Sequence, residues 1–100
     1  MTHRYSLSAR AERELDEIAD YTFERWGRQK AIDYIDRLRA RFRWLVENPD
    51  LGRRRPELSP EIRSFPEGSH VVFYRVKGET FEVVRILHRA REMSDGWEES

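Results

Sequence analysis

The chain has no cysteine. That excludes disulfides, a thiol nucleophile and cysteine-based zinc sites, and it suits a reducing compartment. No run of 18 apolar residues is present, so no segment is built to span a bilayer. The five glycines form no phosphate-cradling loop and no dinucleotide fingerprint. The three histidines, His3, His70 and His88, stand far apart without metal-ligand spacing, so neither metal nor cofactor is expected. The opening Met-Thr-His-Arg-Tyr has no apolar signal region and reads as a native start. Lysine is nearly absent: Lys30 and Lys77 stand against seventeen arginines. A purely solubilising surface draws on both cations, whereas arginine supplies planar, multi-donor contacts that lysine does not.

The charge itself sums to zero, nineteen basic against nineteen acidic residues, which excludes a uniformly basic nucleic-acid coat. The zero is an average over unlike parts. Residues 28–48 and 71–91 each carry +3, residues 1–27 carry −2 and residues 92–100 carry −4. Only 38% of residues are hydrophobic, so the core of this one-domain chain of 100 residues is thin and its twelve aromatics must supply much of it.

Residues 3–7 alternate, His3, Tyr5 and Leu7 against Arg4 and Ser6, which predicts a short first strand. Ser8 is placed to cap a helix whose apolar face is Ala11, Leu15, Ile18, Ala19, Thr22 and Trp26, with Gly27 ending it. A second helix is expected over 28–47, with the stripe Ala31, Tyr34, Ile35, Leu38, Phe42, Leu45 and Val46, stopped by Asn48-Pro49. So short a joint forces an antiparallel helical hairpin. Three prolines and Gly52-Arg53-Arg54-Arg55 make 49–60 a loop. Strands follow at 62–65, 70–77 and 80–88, with a turn at Pro66-Glu67-Gly68 and a Gly-first type II′ turn at Gly78-Glu79.

That last turn sets a register: Arg75 opposite Glu82, Tyr74 opposite Val83, Phe73 opposite Val84, Val72 opposite Arg85 and Val71 opposite Ile86. Val72, Tyr74, Val76, Phe81, Val83 and Leu87 then share one face, and Val71, Phe73, Val84 and Ile86 the other. Both faces are apolar, yet a helical hairpin covers only one. The second is expected to take a C-terminal segment, a concave site or a partner chain. The acidic tail 93–100, carrying Trp97, is expected to be partly disordered unless Trp97 docks there.

Among candidate functional residues, Arg53, Arg54 and Arg55 offer a grip for phosphates or carboxylates; the alternative is a loop pinned by Asp50 and Glu57. Arg75 has Glu82 as a structural partner, whereas Arg85 has none in this register and is the better site candidate. His88 is a lone histidine at a strand end, and a proton shuttle would need a second group beside it. Trp44 and Tyr21 lie off their helical stripes, the composition of an interface or of packing on flanking loops.

The stretches YSLSARAERELDEIADYTFERWG, AIDYIDRLRARFRWLVENPDLGRRRPEL, IRSFPEGSHVVFYRV and VVRILHRARE together resemble the ParE branch of the ParE/RelE superfamily of type II toxin–antitoxin modules. The resemblance covers about residues 5–92. It implies an α+β fold, β-α-α-β-β-β, with the helical hairpin on a small, mainly antiparallel sheet, in a single domain over 1–92. It implies a cytoplasmic bacterial toxin without a cofactor, non-enzymatic, that poisons DNA gyrase, is neutralised by a ParD-like ribbon-helix-helix antitoxin and meets DNA only through it. RelE-type relatives instead cut mRNA on the ribosome. Their catalytic residues survive here only in fragments, since His88 is followed by Arg89 rather than tyrosine. That alternative would rest on His88, Arg63 and Arg85. A third reading is a module that has lost toxicity and still binds antitoxin. The expected target-facing residues are Arg53, Arg54, Arg55, Arg85, His88, Arg89 and Arg91. The antitoxin is expected along a groove between hairpin and sheet, as an amphipathic helix and an extended acidic segment, near Tyr34, Arg37, Leu38, Arg41, Trp44 and Arg75.

Overall fold

A computed structural model describes residues 4–91. The elements are β1 (Ser6–Leu7), α1 (Ala9–Trp26), α2 (Arg28–Glu47), β2 (Arg53–Arg54), β3 (Arg63–Glu67), β4 (His70–Lys77) and β5 (Thr80–His88), with 3₁₀ turns at Pro49–Leu51 and Arg89–Arg91. The two helices pack on a five-stranded sheet of order β1-β5-β4-β3-β2, antiparallel except for the β1–β5 pair. This is the expected α+β architecture with one added element, the two-residue β2 inside the predicted loop. His3 and the tail 93–100 lie outside the described residues.

Ser8 starts α1 as anticipated and does more. Its hydroxyl accepts the Ala11 N–H at 2.9 Å and donates to the Val84 carbonyl at 2.7 Å, so the helix cap is also fastened to β5. Because the cap turns the chain into a helix there, β1 pairs with β5 only at Glu82 and Val83. Gly27, at φ 94°, is the whole joint between the helices, a backbone angle L side chains rarely adopt. Leu15, Leu38, Phe42 and Leu45 from the hairpin meet Val72, Tyr74, Phe81 and Val83 from the sheet. Full burial of each such side chain is worth roughly 1.5–3 kcal/mol. Trp26, expected on the inward stripe, is instead 62% exposed, as is its neighbour Tyr21 at 61%, at the hairpin tip.

The β4–β5 register agrees from Lys77–Thr80 through Tyr74–Val83, and Arg75 Nε donates to Glu82 Oε1 at 3.0 Å. Gly78, at φ 61°, supplies the conformation the turn requires. Beyond Tyr74 the register slips by one residue at a bulge: Phe73 faces Arg85, Val72 faces Ile86 and Val71 faces Leu87. The correction changes faces. Ile86 joins the helix-side core, and Leu87 turns to the opposite side with Ile62, Val71, Phe73 and Val84. Val76, expected in the core, is exposed near the hairpin end. β3 also runs on through Pro66 and Glu67, moving the turn to Gly68-Ser69. Proline is tolerated there because β2 pairs only with Arg63 and Ser64, so β3 has no second neighbour at Pro66.

The second sheet face needs no partner. The segment between β2 and β3 folds across it, with Leu58 and Ile62 packed on Phe73, Val71 and Val84, and with the Arg55 guanidinium 5.4 Å from the Phe73 ring centroid. The expectation of a C-terminal or foreign cover is thereby corrected: the chain covers this face itself.

Candidate functional site

The predicted arginines separate into a buried and an exposed set. Arg55 is 5% exposed; its Nε donates to Glu57 Oε2 at 2.8 Å and its Nη1 to Ser64 Oγ at 2.9 Å. It ties the loop to β3. Arg85 is 7% exposed, and the expectation that it lacks a partner is corrected: Glu14 Oε2 accepts from its Nε at 2.9 Å and its Nη2 at 2.7 Å. The second oxygen of Glu14 accepts the Ile86 N–H at 2.8 Å. One carboxylate from α1 thus satisfies a side chain and a backbone group of β5. Arg63, named for the RNase alternative, donates to the carbonyls of Gly52 at 2.9 Å and Asp50 at 3.2 Å. Arg53 and Arg54 are exposed on β2. Arg89 is exposed beside the end of β5, its backbone bonded to Ser69 at 2.9 Å, and Arg91 stands in the same 3₁₀ turn.

The residues expected to meet the antitoxin are also distributed. Tyr34 and Arg37 line a groove between the tip half of the helical hairpin and the ends of β4 and β5. Leu38 is 0% exposed and reaches no surface, since it fills the core between helix and sheet. Arg41 and Trp44 turn to β3: the Arg41 guanidinium lies 4.6 Å from the Trp44 ring and 4.9 Å from that of Phe65. Trp44 therefore packs on the flanking hairpin. The acid that Arg37 and Arg41 hold is internal, since both donate to Glu67 at 2.8 Å. Burial works to raise the Glu67 carboxyl, and the two arginines outweigh it, keeping it below the usual carboxylate range.

His88 has the second titratable neighbour that sequence alone did not place. His70 lies directly opposite on β4, with ring centroids 5.4 Å apart, and Tyr34 Oη is 2.7 Å from His70 Nδ1. The Tyr34 oxygen also accepts the Ser69 N–H at 3.0 Å, and its hydroxyl reaches the Glu67 carbonyl at 3.4 Å. Burial first, and then His88, presses His70 down to about 4, so its ring is neutral near pH 7. An unfolded histidine titrates near 6.5. As pH falls from about 6.5 to about 4 the unfolded chain takes up this proton and the folded one does not, so stability falls with it. Allowing for partial exposure, the loss is about 1–2 kcal/mol. Urea midpoints measured from about pH 6.5 down to about pH 5, above the carboxylate range, should decline for the native chain and stay nearly flat for His70→Phe. Parallel curves would reject the assignment. Glu67 adds its own loss from about pH 4.5 downward, where the unfolded chain's carboxyl takes up a proton before the folded one does.

Among the described residues no three His, Asp or Glu gather as a metal site, and no helix is long and apolar enough to cross a membrane. His88, Arg63 and Arg85 do not assemble. Arg63 pairs with Tyr74 on β4, four residues from the His70–His88 pair, which puts it about 13 Å away along the sheet.

Residues 5–93 match the family described as ParE toxin of type II toxin-antitoxin system, parDE. Toxin ParE1 of Mycobacterium tuberculosis is 42% identical over 94 residues, covering 93% of this chain and 96% of the relative. Toxin ParE1 of Caulobacter vibrioides is 42% identical over 86 residues, covering 86% and 88%. A solved chain described as the chromosomal ParDE TA system from P. aeruginosa superposes with a TM-score of 0.70 at 25% identity, covering 87% of this chain and 98% of that one. The helical hairpin, the sheet order and the sequence kinship over nearly the whole chain agree: the chain belongs to the ParE toxin family.

Proposed function

We propose that this chain arrests bacterial growth by poisoning DNA gyrase in the cytoplasm, without bond chemistry of its own, and that a ParD-like ribbon-helix-helix antitoxin neutralises it and supplies its only link to DNA. The observation that carries the reading is the end-to-end kinship with ParE1 toxins. The side-chain arrangement favours it over mRNA cleavage. Attack by a ribose 2′-hydroxyl needs a base, a leaving-group acid and charge stabilisation converging on one phosphate. Here Arg63 and Arg85 are bonded into the fold, and His88 faces another imidazole. The exposed Arg53, Arg54 and Arg89, with His88 and Arg91, are the proposed target-facing groups; Arg55 and Arg85 hold the loop and last strand that carry them.

Purified toxin is expected to inhibit gyrase supercoiling, while ribosome-programmed mRNA in a translating extract stays intact. Supercoiling unaffected together with codon-specific cleavage, lost in His88→Ala, would replace this reading with the RNase one. Arg53→Ala/Arg54→Ala should raise the concentration for half-inhibition severalfold. The unfolding free energy should stay within about 0.5 kcal/mol, because both side chains are exposed. An unchanged inhibition curve would remove β2 from the target surface.

A further inference from the structure

The turn that leads into β2 holds one apolar side chain out in water. Leu51 is 57% exposed, while Gly52 behind it is buried. A lone exposed leucine is ordinary on a protein surface. Its mounting sets this one apart. The Leu51 N–H bonds the Asn48 carbonyl at 3.1 Å. Tyr74 Oη donates to the Pro49 carbonyl at 2.7 Å and accepts the Gly52 N–H at 3.0 Å. Arg63 Nη1 donates to the carbonyls on either side of Leu51, that of Asp50 at 3.2 Å and that of Gly52 at 2.9 Å. The backbone around the leucine is thus bonded to β3 and β4 before it and after it. Gly52 is extended, at φ −72° and ψ 151°, and a Cβ on it would run into Tyr74. Successive residues of an extended chain point to opposite sides. Leu51 and Arg53 therefore both turn away from Tyr74, to solvent, and Arg54 faces the other side of the edge strand. Among the described residues neither Arg53 nor Arg54 is in an ion pair.

We propose that Leu51 is the apolar anchor by which this chain grips its target protein: it fills a hollow on gyrase, and Arg53 pairs with a carboxylate at the rim of that hollow. Protein interfaces are built in this way, with an apolar centre and a charged rim that arginine favours. The turn is already ordered in the free toxin, so association forfeits little conformational freedom there. The same turn argues for protein over nucleic acid. Asp50, the residue before the leucine, has a side chain 92% exposed, and its Oδ1 is 3.7 Å from Arg63 Nη2. Duplex DNA carries a phosphate charge about every 1.7 Å along its axis. A phosphate backbone laid across this turn would meet the Asp50 carboxylate and offer nothing apolar to Leu51. A protein surface can set a carboxylate against Arg53, an apolar hollow against Leu51, and leave Asp50 in water. The inference rests on the gyrase reading and adds what is recognised, the protein of the gyrase complex in place of its DNA.

The test compares two substitutions at this side chain in the full chain. Leu51→Ser should raise the toxin concentration for half-inhibition of gyrase supercoiling about tenfold or more. Leu51→Met should raise it less than about threefold, because methionine keeps the apolar volume. Both variants should keep the urea midpoint of the native chain, since the side chain stands outside the core. An inhibition curve for Leu51→Ser that overlays the native one would overturn the anchor. A second measurement leaves the fold untouched. Photo-leucine, a close steric match for leucine, is incorporated into otherwise native toxin, and the label at Leu51 is expected to cross-link to a gyrase subunit. Cross-links from Leu51 to DNA alone, or from other leucines and never from Leu51, would overturn the proposal. Failure of the native toxin to inhibit gyrase is a different result, which removes the target and its anchor together.

Discussion

Glu14→Ala should lower the unfolding free energy by about 3 kcal/mol, within the range for breaking one side of a buried ion pair. Arg85 and Glu14 have side chains only 9% and 14% exposed, and two short hydrogen bonds join them. Removing the carboxylate takes two charge-assisted hydrogen bonds from a buried guanidinium and frees the Ile86 N–H as well. Against the 5–15 kcal/mol typical of a domain, that is a large share. With a urea slope of about 1.5 kcal/mol/M the midpoint should fall by about 2 M. Glu14→Leu/Arg85→Met should recover most of the loss, because an apolar pair removes both charges together. A loss below about 1 kcal/mol for Glu14→Ala would show that solvent screens the pair. The growth phenotype of this variant must be read beside its stability, since a toxin that unfolds is also not toxic.

Gly52→Ala should cost about 2–3 kcal/mol, although its φ of −72° suits any residue. The reason is space. An added Cβ would lie 2.7 Å from Tyr74 Cζ and closer still to the hydroxyl oxygen. Tyr74 cannot yield. It is fully buried, stacked on Phe81 at 4.9 Å, donates to the Pro49 carbonyl at 2.7 Å and accepts the Gly52 N–H at 3.0 Å. The methyl must push the loop off the sheet, and Arg53 and Arg54 move with it. Tyr74→Phe alone should cost about 1–2 kcal/mol, leaving the Pro49 carbonyl and Gly52 N–H without their partner. The double variant should cost less than the sum, because the nearest clashing atom is gone. Strict additivity in urea unfolding, or a Gly52→Ala loss under 0.5 kcal/mol, would contradict this packing.

The legible parts of the fold were local. Both helices and their boundaries follow from apolar spacing, the Ser8 cap and Asn48-Pro49, all of which act within a few residues. The β4–β5 register follows from Gly78 as far as Tyr74, because a tight turn dictates pairing only while the ladder stays regular. The bulge opposite Phe73 left no comparable mark. Val84, Arg85, Ile86 and Leu87 read as ordinary alternation, and which of them turns to the helices depends on what α1 offers them.

The candidate site was legible as a set of residues and illegible as an arrangement. Composition alone pointed to the arginines. Their division into exposed groups and fold-holding groups was settled by acids far away in the chain: Glu14 is 71 residues from Arg85, and Glu67 is 30 from Arg37. His70 carried no signal except strand membership; the cross-strand pairing with His88 made it a neighbour. By itself, then, the sequence determined the elements, the hairpin turns, the family resemblance and the surplus of arginine. The tertiary structure decided which arginines are exposed and what covers the second sheet face. Those outcomes depend on contacts between segments that share no local spacing rule, and on burial, which converts a surface charge into a structural one only when its partner arrives.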